Sequence, residues 1–145
     1  MQSILYFYSM HPILCITWFL LMIIILYLTV KINLTKSKII NCNQAIILIN
    51  KKNAQVIDLR SKEDYCKGHI YPSINILEQD IKNNFCWKEL QKYKFQPIII
   101  VGYGYNNLID IELASKIIKF GFKQVYILEY GIIGWENAQL PLITS

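Results

Sequence analysis

An open parallel α/β sheet flanked by helices and preceded by one apolar helix is the fold this sequence predicts. Three observations lead there. Short runs of branched apolar residues alternate with segments of helical spacing in the order β, α, β, α, β, the pattern of right-handed crossover units. One of those runs, "PIIIV" at Pro97–Val101, is apolar throughout, as befits a strand covered on both faces. All 15 Lys+Arg and all 10 Asp+Glu follow Val30, which sets a charge-free leader ahead of a remainder of about 115 residues, close to the commonest domain size. The organisation expected is an anchor over 1–31, a linker over 32–38 and one folded domain over 39–145.

The leader comes first. Ile13–Val30 contains no Asp, Glu, Lys or Arg and measures about 27 Å as a helix, with further apolar residues before it to accommodate tilt. A cleaved signal peptide needs a basic start and a small-residue cleavage site, and neither is present. A buried core helix is apolar along one stripe rather than all round. The segment therefore reads as a transmembrane helix, with Tyr6, Tyr8 and Tyr27 as aromatic anchors at the interfaces. No Lys or Arg precedes it, whereas Lys31, Lys36 and Lys38 follow, so the positive-inside rule places the C-terminal domain in the cytoplasm.

The stretch Ile32–Ile40 reads as a linker running into an edge strand. In "NCNQAIILINKKN", Asn41 or Asn43 is the N-cap of a helix whose Ala45, Ile46, Leu48 and Ile49 share one face. "QVIDLR" is a buried strand. "SKEDYCKG" opens on Ser61 with Asp64 three residues on, a capping pattern for a single helical turn, and Gly68 is the expected stop. "SINI" is a short strand, and "EQDIKNNFCWKELQKY" forms one or two short helices. After "PIIIV" a helix is predicted over Leu108–Phe120, with Ile109, Leu113, Ile117 and Phe120 on its buried face and Gly121 at its end. "QVYIL" is the strand that follows.

A net charge of +5 and a pI of ≈ 9.0 raise the question of nucleic acid. The lysines are scattered or in small clusters such as Lys51-Lys52 and Lys92-Lys94, with no long basic run and no aromatic RNA-binding box. A solvated basic surface is expected, and nucleic acid is not. Cys15, Cys42, Cys66 and Cys86 form no CxxC pair, and only His11 and His69 accompany them, so neither a zinc site nor a disulfide framework is indicated. No cofactor or metal is expected. In an open parallel sheet ligands sit at the carboxyl ends of the strands, which makes the loop after "PIIIV" the first place to look for a site.

The segment "VIDLRSKEDYCKGHIYPSINI", Val56–Ile76, resembles the first signature of rhodanese-like domains, in which a strand ending in Asp-x-Arg leads to an acidic turn and then to Gly-His-Ile and an Asn. "GFKQVYILEYGIIGWENAQLPL", Gly121–Leu142, resembles the closing signature, with Gly131, Trp135 and Pro141 in place. The resemblance covers nearly everything from Ile39 onward and implies a rhodanese-like sheet. It also implies where chemistry would sit. The family's enzymes are sulfurtransferases whose nucleophilic Cys follows the central strand, in a loop of about six residues whose N–H groups stabilise a thiolate and then a persulfide. On that alignment Gly102 stands at the cysteine position.

Val101–Asn107 contains no Cys, Ser, Arg, Lys or His. The loop of Gly102, Tyr103, Gly104, Tyr105, Asn106 and Asn107 is thus active-site-like in place but lacks a nucleophile, and no catalytic residue is expected in it. A phosphatase fails on the same missing Cys. Tyr103 and Tyr105 read as rings filling a rigid loop, and Gly102 and Gly104 as positions that let N–H groups point inward in a weak anion-binding nest. Cys66 has no evident activating base or cation and reads as incidental, yet it is the alternative sulfur carrier; Cys42 and Cys86 are weaker, and Cys15 lies in the span. The resemblance implies that Asp58, Arg60, Gly68, His69, Asn75, Gly131 and Trp135 fix the fold rather than act on a substrate.

The functional expectation is a catalytically inactive rhodanese-like domain held at the cytoplasmic face of a membrane, acting in tethering or protein interaction. Its expected partners are the lipid bilayer and another membrane protein. The alternative is a sulfurtransferase or sulfur carrier using a non-standard cysteine such as Cys66.

Overall fold

A computed structural model describes residues 12–34, 37–104 and 107–144. They belong to two compact units that divide between Lys36 and Ser37. Tyr6 and Tyr8, read above as interfacial anchors, lie outside the described residues.

The first unit is helix α1, Pro12–Leu34, of 23 residues, a length of about 35 Å at 1.5 Å per residue. It continues through Leu34 and so takes in part of the stretch read as linker. None of its Pro12–Thr29 window is buried, and it is the one helix among the described residues long and apolar enough to cross a membrane. Its two threonine hydroxyls are satisfied internally: Thr17 Oγ1 donates to the Leu14 carbonyl at 2.9 Å and Thr29 Oγ1 to that of Ile25 at 2.7 Å. Such pairing suits a helix side chain in hydrocarbon, where no water completes a hydrogen bond.

The second unit is a sheet of five strands: β1 (Lys38–Ile40), β2 (Gln55–Asp58), β3 (Ser73–Asn75), β4 (Ile98–Val101) and β5 (Val125–Leu128). All pair in parallel, in the order β1-β5-β4-β2-β3. The helices are α2 (Cys42–Lys52), α3 (Lys62–Lys67), α4 (Glu78–Lys82), α5 (Trp87–Leu90), α6 (Asn107–Lys119) and α7 (Gly131–Asn137), with a 3-10 turn at Gln91–Tyr93. Strand β4 is central, and Ile100 pairs with Ile57 on one side and Ile127 on the other.

Alternation along the strands builds two cores. Ile57, Ile98, Ile100 and Ile127 point to one face, against Ile81 of α4, Leu90 of α5, and Leu113 and Ile117 of α6. Val56, Ile99, Val101 and Leu128 point to the other, against Ala45 and Leu48 of α2 and Ile132 and Trp135 of α7. All four residues of β4 are buried, as its composition requires.

The helix ends follow local chemistry. Of the two cap candidates for α2 the structure selects Asn41. Its Oδ1 accepts from Gln44 N at 2.9 Å, while Gln44 Oε1 accepts from Asn41 N at 3.2 Å, a reciprocal capping box. Gly121 ends α6 as expected, with φ +96° and its N–H donating to the Ile118 carbonyl at 2.9 Å. Gly68 closes α3 as expected, its N–H donating to the Tyr65 carbonyl at 3.2 Å with an extended φ of 173°, and a Cβ there would lie 3.3 Å from Leu142 Cδ1. One expectation needs correction. Phe120 lies beyond the end of α6 rather than on its buried face, and stacks on Trp87 with ring centroids 3.5 Å apart.

The cap assignment is testable. Asn41→Ala is expected to lower stability by about 1 kcal/mol in urea denaturation, and Asn43→Ala by less than about 0.5. Equal losses would contradict the assignment.

Candidate functional site

The site is built where β4 hands over to α6. The Val101 carbonyl is still held by the sheet region, accepting from Leu59 N at 2.9 Å, and the chain then turns through Gly102, Tyr103 and Gly104. Tyr105 and Asn106 lie outside the described residues, and Asn107 enters only as the first residue of α6.

Backbone contact holds the loop from below. The Gly102 carbonyl accepts from Ile132 N at 3.0 Å. A Cβ on Gly131, whose φ is +50°, would lie 2.3 Å from the Gly102 oxygen and 2.7 Å from Gly104 N. A Cβ on Gly104, whose φ is +93°, would lie 2.1 Å from the Tyr130 oxygen. Both positions are glycine because two main chains touch there.

A side chain holds the loop laterally. The Tyr103 hydroxyl donates to Asp64 Oδ2 at 2.8 Å and accepts from Ser61 N at 3.1 Å, which fastens the loop to the start of α3. Asp64 is held well below the usual carboxylate range, first by the hydrogen bond from Lys67 and then by those from Tyr103 and Ser61. Tyr103 is thus a strut more than a filler, with 43 % of its surface still exposed.

The third contact comes from within, and from a residue outside the sequence-based site. Asp110, in the first turn of α6, places its Oδ1 and Oδ2 at 2.5 and 2.7 Å from where a Cβ of residue 102 would be. Its surface is 4 % exposed, and among the described residues no donor is recorded to its carboxylate. Burial first, and the Glu78 carboxylate second, push its pKa up to about 6. A signal for it existed. Asp110, Leu113, Ala114 and Ile117 fall at i, i+3, i+4 and i+7, and all four are buried. The acid passed unnoticed because the first turn of a helix is an ordinary place for one.

Two consequences follow. A cysteine side chain at position 102 has no room unless Asp110 moves. The carboxylate beside Gly102, when ionised, also repels a second anion brought into that volume.

The signature residues form a separate frame. Asp58 and Arg60 are an ion pair at 2.8 Å with side chains 1 % and 6 % exposed. Arg60 also donates its own N–H to Asp58 Oδ1 at 2.9 Å and an Nη2–H to the Gly68 carbonyl at 2.6 Å. Asn75 Nδ2 donates to the carbonyls of Asp58 and Arg60 at 3.1 and 2.8 Å. His69 stacks on Tyr65 at 3.9 Å, its Nδ1 lies 3.0 Å from the Tyr65 carbonyl, and its backbone bridges Ile143. Trp135 Nε1 donates to the Pro141 carbonyl at 3.1 Å. Each polar group is engaged in joining elements, so each has a structural occupation independent of any reaction.

A cavity of ≈ 270 Å³ opens beside the loop, lined in part by Arg60, Asp64, Lys67, Tyr103, Ile133 and Glu136. Cys66 is half-buried on α3 and is not among its lining residues. Burial pushes the thiols of Cys42 and Cys86 up, away from the reactive thiolate. Among the described residues no His, Cys, Asp and Glu group is arranged to hold a metal ion.

The sequence profile of the rhodanese-like domain matches residues 42–138. The chain is 43 % identical over 144 residues to the protein YibN of Escherichia coli (strain K12), covering 99 % of this chain and 98 % of that one. It is 32 % identical over 101 residues to the thiosulfate sulfurtransferase GlpE of Pseudoalteromonas translucida, covering 70 % of this chain and 90 % of that one. Among solved structures, a rhodanese-related protein from Thermoplasma volcanium superposes with a TM-score of 0.61 at 22 % identity, covering 74 % of this chain and 99 % of that one.

Burial of Asp110 predicts a pH dependence of stability. Unfolded, the group ionises near 3.8; folded, near 6. Its contribution is therefore fully present below about pH 4 and is lost as pH rises through about 6. Asp110→Asn, which never ionises, is expected to exceed the parent by on the order of 3 kcal/mol at about pH 8, with the difference closing towards pH 4. A difference independent of pH in thermal melts would contradict the assignment.

Proposed function

The chain belongs to the rhodanese-like domain family, and from that premise we propose that it is a catalytically silent member held at the cytoplasmic face of a bacterial inner membrane, where it works by binding another membrane protein. The observation that carries the reading is Gly102 at the nucleophile position with the Asp110 carboxylate in the space of its missing side chain. Sulfur transfer in this fold needs a thiolate at that place, and neither the loop nor the buried acid supplies one.

The anchoring half of the proposal is supported by α1, apolar all round, and by lysines that follow the span while none precedes it. An anchor confines the domain to two dimensions and raises its effective concentration against other membrane proteins, so modest surface affinity suffices. The cavity beside Tyr103, with charges of both signs, is the concave feature nearest the silent loop that such a partner would meet.

Similarity to GlpE supports a second reading, sulfur transfer through another cysteine, for which Cys66 is the candidate. Incubating the full-length protein with thiosulfate and cyanide separates the two. No thiocyanate above background is expected, from the parent or from Cys66→Ser. Turnover that disappears in Cys66→Ser would establish the enzymatic reading instead. The orientation is checked on the same thiol: a membrane-impermeant reagent is expected to spare Cys66 in intact cells and to reach it after permeabilisation, whereas labelling of intact cells would reverse the topology.

A further inference from the structure

We propose that the N-terminal edge of the parallel sheet is a docking surface for the anionic lipid headgroups of the membrane in which α1 sits; the proposal rests on the spanning role given to α1 above. All five strands run the same way, so the chain enters each of them from one edge and leaves by the other. The entering positions are Lys38 itself and the segments 51–54, 71–72, 91–97 and 119–124. They carry Lys38, Lys51, Lys52, Lys92, Lys94, Lys119 and Lys123, all exposed, and not one Asp or Glu. The acid closest to them in the chain is Glu89, on α5.

These cations are available. Among the described residues none of the seven is in an ion pair, in contrast to Lys67 and Lys82. Apolar surface accompanies them. Phe95 is 98 % exposed, and Phe120 lies on Trp87 with one face outward. The segments that hold these two rings adjoin, since a Cβ on Gly121 would lie 3.5 Å from Lys94 Cε. The exit edge is mixed instead: Glu63, Asp64, Glu78, Asp80, Asp110 and Glu129 follow the strands together with Arg60, Lys62, Lys67 and Lys82. The unbalanced cations therefore gather at the entering edge.

Chain connectivity selects the occupant. Leu34 ends α1 and Lys38 begins β1, a separation that a fully extended chain spans in about 14 Å. The basic edge includes Lys38, only four residues beyond the end of α1, so the headgroups of the membrane that α1 spans are the occupant the tether favours. Clustered lysines with exposed aromatics are the chemistry that binds an anionic interface, each lysine worth on the order of fivefold in affinity. Nucleic acid shares the charge preference but not the tether. Docked in this way, the edge that bears Gly102 and the cavity beside Tyr103 stays open to a partner.

Hydrogen–deuterium exchange on the full chain in lipid nanodiscs tests the proposal. In discs containing roughly a third phosphatidylglycerol, against phosphatidylcholine alone, amides in 51–54, 91–97 and 119–124 are expected to exchange several-fold more slowly, and those in 60–67 and 129–136 at equal rates. Changing Lys92, Lys94, Lys119 and Lys123 together to Gln is expected to abolish the difference. Equal exchange in the two lipids, whether fast or slow, overturns the docking while protection of α1 leaves the span intact. Fast exchange throughout α1 overturns the span, and the docking with it.

Discussion

The carboxylate of Asp110 and a side chain at position 102 compete for one volume, and the character of the site depends on which of them is there. With Oδ1 only 2.5 Å from the place of a Cβ, a side chain at position 102 requires the Asp110 carboxylate to shift. Beside Gly102 lies a buried acid whose pKa is raised to about 6 and whose ionised form makes the local field negative.

The rest of the loop persists because it is held by contacts that owe nothing to sulfur chemistry. Gly104 and Gly131 permit two main chains to meet, and Tyr103 ties the loop to Asp64 and Ser61. Behind them the Asp58–Arg60 pair, desolvated and hydrogen-bonded to Gly68 and indirectly braced by Asn75, fixes the exit from β2. Removing one member of such a pair strands a buried charge. These signature residues join the end of β2 to the turns and strand beside it.

Much of this was legible in the sequence. The run "IIIV" is the central strand because unbroken branched apolar residues are buried on both faces, and "QVID" and "VYIL" pair on either side of it. Gly121 announced the end of α6 because only glycine adopts its φ of +96° without cost. Gly68 was readable as the stop of α3, but its closeness to Leu142, distant in the chain, was invisible to local pattern. Asp110 was hidden in the same way. Its helical position was readable, but its encounter with Gly102 arises only when α6 folds back against β4, and no propensity encodes that approach.

The central claim, that the Asp110 carboxylate occupies the space of a side chain at position 102, is tested most directly by a double-mutant cycle of Gly102→Cys and Asp110→Ala with stability as the readout. In the parent background Gly102→Cys is expected to cost on the order of 2 kcal/mol through overpacking, and in the Asp110→Ala background much less, giving a coupling of about 1 kcal/mol or more. Additive effects would mean that residue 102 and Asp110 do not share that space, and would contradict the account.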